Sequence, residues 1–315
     1  MFRLSSLGIG LTLAIILLMG CGVEGITDIT PTAVPEPTIP FTPVALQATN
    51  TPVPPPPTPT PRPKPTDEPT KPPEPTQAGA TAAPTVATAP TLNSPMIEIA
   101  GATFRMGSDA GNADAKPPHE VTVKTFMLDQ FEVTNADFRL FADAQNYKTD
   151  AEKSNESDTW LTYAQGKDNH PVVKVSWNDA KAFCEWADKR LPTEAEWEFA
   201  ARGTDGRAFP WGNEFNVKNV NGKETGLRGT AAVGSFPGGA SPFGIQDLSG
   251  NVQEWTASAP EHYPGNSANS KLYGATLLIQ RGGGWFATQE RLTTYFRDSN
   301  VATAANDDVG FRCAK

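Results

Sequence analysis

Residues 30–95 constrain this chain more than any other stretch. They are proline and threonine with a few alanines, valines and charges, including the run Val53-Pro54-Pro55-Pro56-Pro57-Thr58-Pro59. Such a segment buries too little apolar surface to offset its ordering entropy, and clustered prolines hold it in extended polyproline-like conformations. Any packed core must therefore come from the residues C-terminal to it. The expected organisation is a disordered stalk over residues 22–95 and one folded domain over residues 96–315. At about 3.1 Å per residue where extended, the stalk would hold that domain on the order of 150 Å from its anchor.

The anchor is legible at the start of the chain. Residues 1–21 open with Arg3, run apolar from Leu7 through Met19 and end Leu18-Met19-Gly20-Cys21. The apolar run is too short to cross a bilayer as a helix and has the layout of a signal peptide. Its Leu-x-Gly-Cys end resembles a bacterial lipobox, with Cys21 as the lipidated residue; the alternative is an ordinary secretory signal with a chance cysteine. Either reading puts the domain outside the cytoplasm, and the first makes the bacterial cell membrane its partner through the lipid. A formal net charge of -9 offers no basic face to a phosphate backbone, so nucleic acid is excluded as a partner.

Within the domain, residues 96–108 alternate apolar side chains around Ala100-Gly101 and predict a β-hairpin, with Val121-Thr122-Val123 as a further strand. Thr134 with Asp137 marks a helix start, and Val133 with Phe138 can staple it. Residues 143–170 show no period and read as a long loop, the kind that is functional or mobile in a compact domain. His170 to Val175 reads as a strand. Ser176 with Asp179 caps a second helix whose apolar face carries Trp177, Ala180, Phe183, Cys184 and Ala187, so Cys184 points inward. In residues 190–203, Thr193 and Glu196 form a capping box, Trp197, Ala200 and Ala201 share a face, and Gly203 supplies the stop. Beyond it the chain turns loop-rich, with Leu277-Leu278-Ile279 as the clearest strand.

Five motifs carry a resemblance: Ser-Trp-Asn-Asp at 176–179, residues 190–203, Gly-Asn-Val-Gln-Glu-Trp at 250–255, Arg-Gly-Gly-Gly-Trp at 281–285 and Gly-Phe-Arg-Cys at 310–313. In this order over residues 96–315 they are similar to the formylglycine-generating enzyme family, the sulfatase-modifying factors. The resemblance implies an α+β domain of low regular secondary structure, related in architecture to C-type lectins. It also implies a disulfide between Cys184 and Cys313, the alternative being two buried thiols. Such a link would close a loop of well over a hundred residues and contribute about 3 to 5 kcal/mol in the chain-entropy account.

With Cys21 in the anchor, no cysteine is left for catalysis. The family's active enzymes hold copper(I) on a Cys-x4-Cys pair ahead of an arginine that resembles Arg297. Counted back from Arg297, the matching positions are Gln289 and Thr294, and neither offers the soft thiolate or thioether that copper(I) requires. An iron-dependent alternative would need His119, His170 and His262 to converge in space, since no pair has helical spacing. Calcium fares better. Asp247 and Glu254 are two carboxylates seven residues apart around a glycine, the hard oxygen ligands Ca2+ takes. The resemblance assigns the Asp247 side chain, the Gly250 and Val252 carbonyls and the Glu254 side chain to a structural calcium. It assigns a second set to Asn219, Val220, Thr225 and Leu227, weaker because Thr225 stands where the family has a carboxylate.

Trp177, Trp197, Trp211, Trp255 and Trp285 each lie inside a structural motif and read as anchors, whereas Trp160 and Tyr163 in the long loop, with Arg297, are candidate ligand contacts. The expectation is a lipid-anchored extracytoplasmic protein displaying a non-catalytic, calcium-stabilised domain that binds a peptide or glycan. The competing expectation is an oxidoreductase, either of the formylglycine-generating type or iron-dependent.

Overall fold

The computed structural model describes residue 92 and residues 94–273 and 276–315. The expected leader, its Cys21 and nearly all of the expected stalk lie outside the described residues.

The first strands are present, but the expected hairpin over 96–108 is not. Strands β1 (Met96–Ile99) and β2 (Ala102–Met106) pair instead with β4 (Phe126–Asp129) and β3 (His119–Val123), both antiparallel. Register runs from Met96 opposite Asp129 to Ile99 opposite Phe126, then from Ala102 opposite Val123 to Met106 opposite His119. Gly101 marks the break between the ladders. A Cβ there would meet the Val123 carbonyl at 2.4 Å, and its N–H donates to Thr125 Oγ1 at 3.0 Å. Close approach of the opposite arm, rather than a turn, is what this glycine serves.

All three predicted caps are present. Thr134 Oγ1 accepts from Asp137 N at the start of α1 (Asn135–Gln145). Two short helices, α2 (Asp150–Lys153) and α3 (Trp160–Tyr163), occupy the stretch expected to be a loop, and Thr149 with Glu152 makes a capping box for the first. Capping boxes also open α4 (Trp177–Trp186) at Ser176 and α5 (Glu194–Arg202) at Thr193. No ladder forms at residues 170–175. Lys174 has φ 58°, outside the strand region, and the segment is tied by Val172 N donating to the Val133 carbonyl.

Four strands close the domain in the order β7 (Asp298–Val301), β6 (Leu277–Arg281), β5 (Gln253–Trp255), β8 (Val309–Gly310), antiparallel except β5 with β8. The chain then runs out between the ribbon and α5. Asp129 N donates to the Cys313 carbonyl, and Arg190 N to the Ala314 carbonyl. Cys313 is bonded to Cys184 of α4. One core packs α1, α3 and α4 on Phe311 and Trp255; a second packs Trp197, Phe199 and Ala200 of α5 on the ribbon. Each anchor tryptophan bonds its indole N–H within the protein: Trp177 to Thr256 O, Trp197 to Glu254, Trp211 to Glu214 O, Trp255 to Val175 O and Trp285 to Asp307 O.

Candidate functional site

Helix α5 carries more than an apolar face. Glu194, Glu198 and Arg202 succeed one another at four-residue spacing, and all three are buried. Buried charges need partners, and these form a ladder. Arg202 Nη1 donates to Glu198 Oε1 at 2.7 Å, and Arg281 of β6 bonds the other Glu198 oxygen. Arg281 also lies 3.5 Å from Glu194, which accepts from Arg297 Nε at 2.7 Å and Nη2 at 2.9 Å. Gly107 N adds a donor to Glu198 at 2.7 Å. Arg297 is thus a buried organiser more than a free contact. Burial works against its charge, but the Glu194 carboxylate holds it above the usual arginine range.

Arg297 lines a cavity of about 450 Å3 with Glu194, Ser258, Glu261, Tyr263 and both His119 and His262. Two of the three histidines therefore line one cavity, His119 against Tyr263 and His262 against Tyr273, while His170 sits elsewhere against Thr230 Oγ1. They do not make an iron triad. Among the described residues, no three His, Cys, Asp or Glu side chains converge to hold a metal by themselves.

The position matched to the family's copper site opens on a different groove. Gln289 lines a cavity of about 470 Å3 with Asn112, Phe209, Asn213, Tyr295 and Phe296. Thr294 faces away from it. That residue is fully buried, its N–H donates to the Ala208 carbonyl, its hydroxyl donates to the Arg207 carbonyl at 2.9 Å, and its own carbonyl accepts from Arg281 Nη2 at 2.8 Å. Copper(I) chemistry does not fit an amide and a tied hydroxyl. No cysteine occurs between Arg281 and Cys313, so the conclusion is independent of how the motif is aligned.

The carboxylates expected to hold calcium, Asp247 and Glu254, lie in a second buried network. Glu254 is fully buried; Arg312 Nε and Nη2 reach its two oxygens at 2.8 and 2.7 Å, and Trp197 Nε1 adds a third bond at 2.9 Å. Asp247 Oδ2 accepts from Gly234 N at 2.7 Å. A third carboxylate, Glu132, is fully buried between Asn251 Nδ2 at 2.6 Å and Val252 N at 3.1 Å. Burial, then the Asp247 and Glu254 carboxylates, push Glu132 well above the ordinary range, and burial raises Asp247 against the pull of Arg312. The raised Glu132 and Asp247 favour their protonated forms, and Glu254 is paired with Arg312, so this network balances its charge internally. Gly250 and Val252, whose carbonyls are expected to join the carboxylates, are both buried in the same loop. The second set holds no carboxylate: Thr225 Oγ1 donates to the Gly222 carbonyl at 2.7 Å and Leu227 is exposed.

Trp160 is a core residue and not a contact surface. It is 3% exposed, lies edge-on to Phe138 and bonds Glu152 through its indole N–H. Tyr163 is half-exposed near Asp307 and Asp158. Sequence reasoning missed Glu132, which belongs to no motif, and Asp308. The latter is 7% exposed against Gly284, and burial with the neighbouring Asp307 pushes it up to about 6.

Residues 82–315 match the family model described as sulfatase-modifying factor enzyme 1-like domain. The chain is 37% identical over 268 residues to the Bos taurus protein named inactive C-alpha-formylglycine-generating enzyme 2, covering 70% of this chain and 87% of that one. It is 34% identical over 280 residues to the Mus musculus formylglycine-generating enzyme, covering 70% and 74%. Among solved structures it is similar to PvdO from Pseudomonas aeruginosa, with 29% identity and a TM-score of 0.56 over 70% of this chain and 93% of that one. CarF, at 21% identity and a TM-score of 0.52 over 71% and 99%, shares the fold.

Proposed function

The chain belongs to the sulfatase-modifying factor enzyme 1-like family, and from that premise we propose that it is a non-catalytic recognition domain of that fold, held outside the membrane on a lipid at Cys21. It binds a peptide or glycan in the groove beside Gln289, and a calcium held by Asp247, Gly250, Val252 and Glu254 stabilises it. One observation carries the reading: where the oxidase needs two thiols the chain has Gln289 and Thr294, and the domain's two cysteines are joined to each other. Support also comes from relatives whose names declare them inactive. The groove has the make-up of a binding surface, with Phe209, Tyr295 and Phe296 as apolar walls and Asn112, Asn213 and Gln289 as amide donors and acceptors. Calcium would tie the 247–254 loop.

The test is incubation of the protein with a Cys-x-Pro-x-Arg peptide and copper(I). No aldehyde by mass spectrometry is expected; aldehyde that is absent from a heat-killed control would overturn the non-catalytic reading.

A further inference from the structure

Away from the cavities, one lobe of the domain carries a charge surplus opposite in sign to that of the chain. The 3-10 turns Val217–Asn219 and Lys223–Thr225 follow one another there, and Lys223 N donates to the Ala287 carbonyl at 3.0 Å, which brings Phe286 beside them. Val220 and Ala287 share one buried apolar cluster, so both segments belong to the same lobe. Lys218, Lys223 and Arg228 are exposed, and none of them makes a salt bridge among the described residues. Residues 216–229 hold these three cations and one acid, Glu224, in a chain whose net charge is -9.

Apolar side chains stand among those cations. Val217 is 40% exposed, Leu227 56% and Phe286 45%, three of the six exposed large apolar residues among the described residues. Gly226 at φ 71° and Arg228 at φ 56° bend the chain tightly on either side of Leu227, the most exposed of the six. Exposed apolar groups scattered singly need no explanation, but a concentration of them on one lobe marks a contact surface. Neither these three nor the three cations line the cavity beside Glu194 or the groove at Gln289, so the lobe presents exposed side chains and not a hollow.

We propose that this lobe docks on the surface of an anionic bilayer, with Lys218, Lys223 and Arg228 at the headgroup phosphates and Val217, Leu227 and Phe286 entering the interface between them. Opposite charge draws such a lobe to the surface, and its apolar groups gain by leaving water there. A bilayer also deforms around single apolar side chains, so no hollow is needed to receive them. It meets the lobe alone, whereas a long polyanion would also meet the acidic remainder of the chain. This contact is separate from a lipid at Cys21, and vesicles test it without that lipid.

Full chain made without lipid is sedimented with vesicles of phosphatidylcholine alone and with vesicles of phosphatidylcholine and phosphatidylglycerol in equal parts. The N-terminal apolar run is common to every variant, so the comparison rests on differences. Stronger binding to the anionic vesicles is expected, falling as salt rises. Lys218→Gln and Arg228→Gln should each weaken it about fivefold, and Leu227→Gln about tenfold. The free proteins should melt as the parent does, because these side chains are exposed. Lys124→Gln removes the same charge from the turn between β3 and β4 and should leave binding as it was. Equal binding to both kinds of vesicle overturns the proposal, as does binding untouched by Leu227→Gln or a loss with Lys124→Gln as large as that with Lys218→Gln. The peptide assay reads aldehyde and not vesicle binding, so either reading can fail without the other.

Discussion

Replacing Asp308 with asparagine should stabilise the domain by an amount that grows with pH. Asp308 comes directly after Asp307 just ahead of β8, and a Cβ on Gly284 would come within 2.8 Å of its carboxylate. Burial comes first and Asp307 second in lifting its carboxyl from 3.8 to about 6. Arg291 pulls the other way without restoring the ordinary value. A rise of about two units is worth about 3 kcal/mol. Because the folded value lies above the unfolded one, the native state keeps a proton that the unfolded chain has lost. The stabilisation from protonated Asp308 is complete below about pH 3.8 and is lost as pH rises through about 6. Asparagine does not titrate. The stability of Asp308→Asn relative to the parent should therefore be flat in acid, climb between about pH 4 and 6, and level off about 3 kcal/mol higher near pH 7. For a domain of this size that is about 6 to 12 °C in melting temperature. Burial also raises Asp129, Glu132, Asp179 and Asp247, but they titrate in both proteins and cancel in the difference. Urea unfolding of both proteins across this range is the assay. A difference that stays flat refutes the raised value, and one that shrinks with rising pH means a partner holds the carboxylate ionised.

Chelation should lower the melting temperature of calcium-loaded protein by several degrees, since a ligand at a hundred times its dissociation constant stabilises by about 2.7 kcal/mol. Asp247→Asn should remove most of that dependence and Thr225→Ala little of it; an unchanged melt after exhaustive chelation would leave the 247–254 loop as an ordinary turn. Glu254→Ala is the wrong variant, because that carboxylate also holds Arg312 and Trp197. Non-reducing peptide mapping of exported protein should find Cys184 linked to Cys313, and two alkylatable thiols in folded protein would refute the link. Arg312→Met should cost about 3 to 5 kcal/mol in urea unfolding by stranding buried Glu254; a loss below about 1 kcal/mol would mean the carboxylate finds another partner or a proton.

Local signals are the legible ones in this chain. The caps at Thr134, Ser176 and Thr193 join a side chain to a backbone three residues on, so both partners stand in one short window of sequence. Thr149 and Glu152 carry the same signal, but a four-residue helix is too short to show a period beside it. Strand pairing in the ribbon is not legible. Apolar alternation in residues 96–108 fits a hairpin as well as one arm of a longer ladder, and only the approach of Val123 and Thr125 to Gly101 decides between them. Least visible are the buried charges. On a helical wheel Glu194, Glu198 and Arg202 look like a solvated face, and their partners Arg281 and Arg297 lie in distant strands and loops. Glu132 is 120 residues from the Val252 N–H that it accepts.

Those distant partners also bear on whether two cysteines placed at residues 289 and 294 could hold copper(I). Gln289 heads a single 3-10 turn and lines the groove, so a thiol there would stand where a ligand can reach it. Thr294 has been absorbed into the frame. Its hydroxyl ties down the Arg207 carbonyl, and its carbonyl is one of the acceptors that hold Arg281 in the ladder running from Arg202 to Arg297. A Thr294→Cys change forfeits the first bond, worth about 1 kcal/mol, and leaves the sulfur among buried atoms instead of in the groove. Copper(I) needs both soft ligands on one open site. The Gln289→Cys, Thr294→Cys double variant is therefore expected to melt lower than the parent and to bind no more copper(I) than Gln289→Cys alone in competition with bicinchoninate. Stoichiometric copper gained only by the double variant would show that residue 294 can turn toward the groove, and that the change of ligands alone separates this chain from the oxidases it resembles.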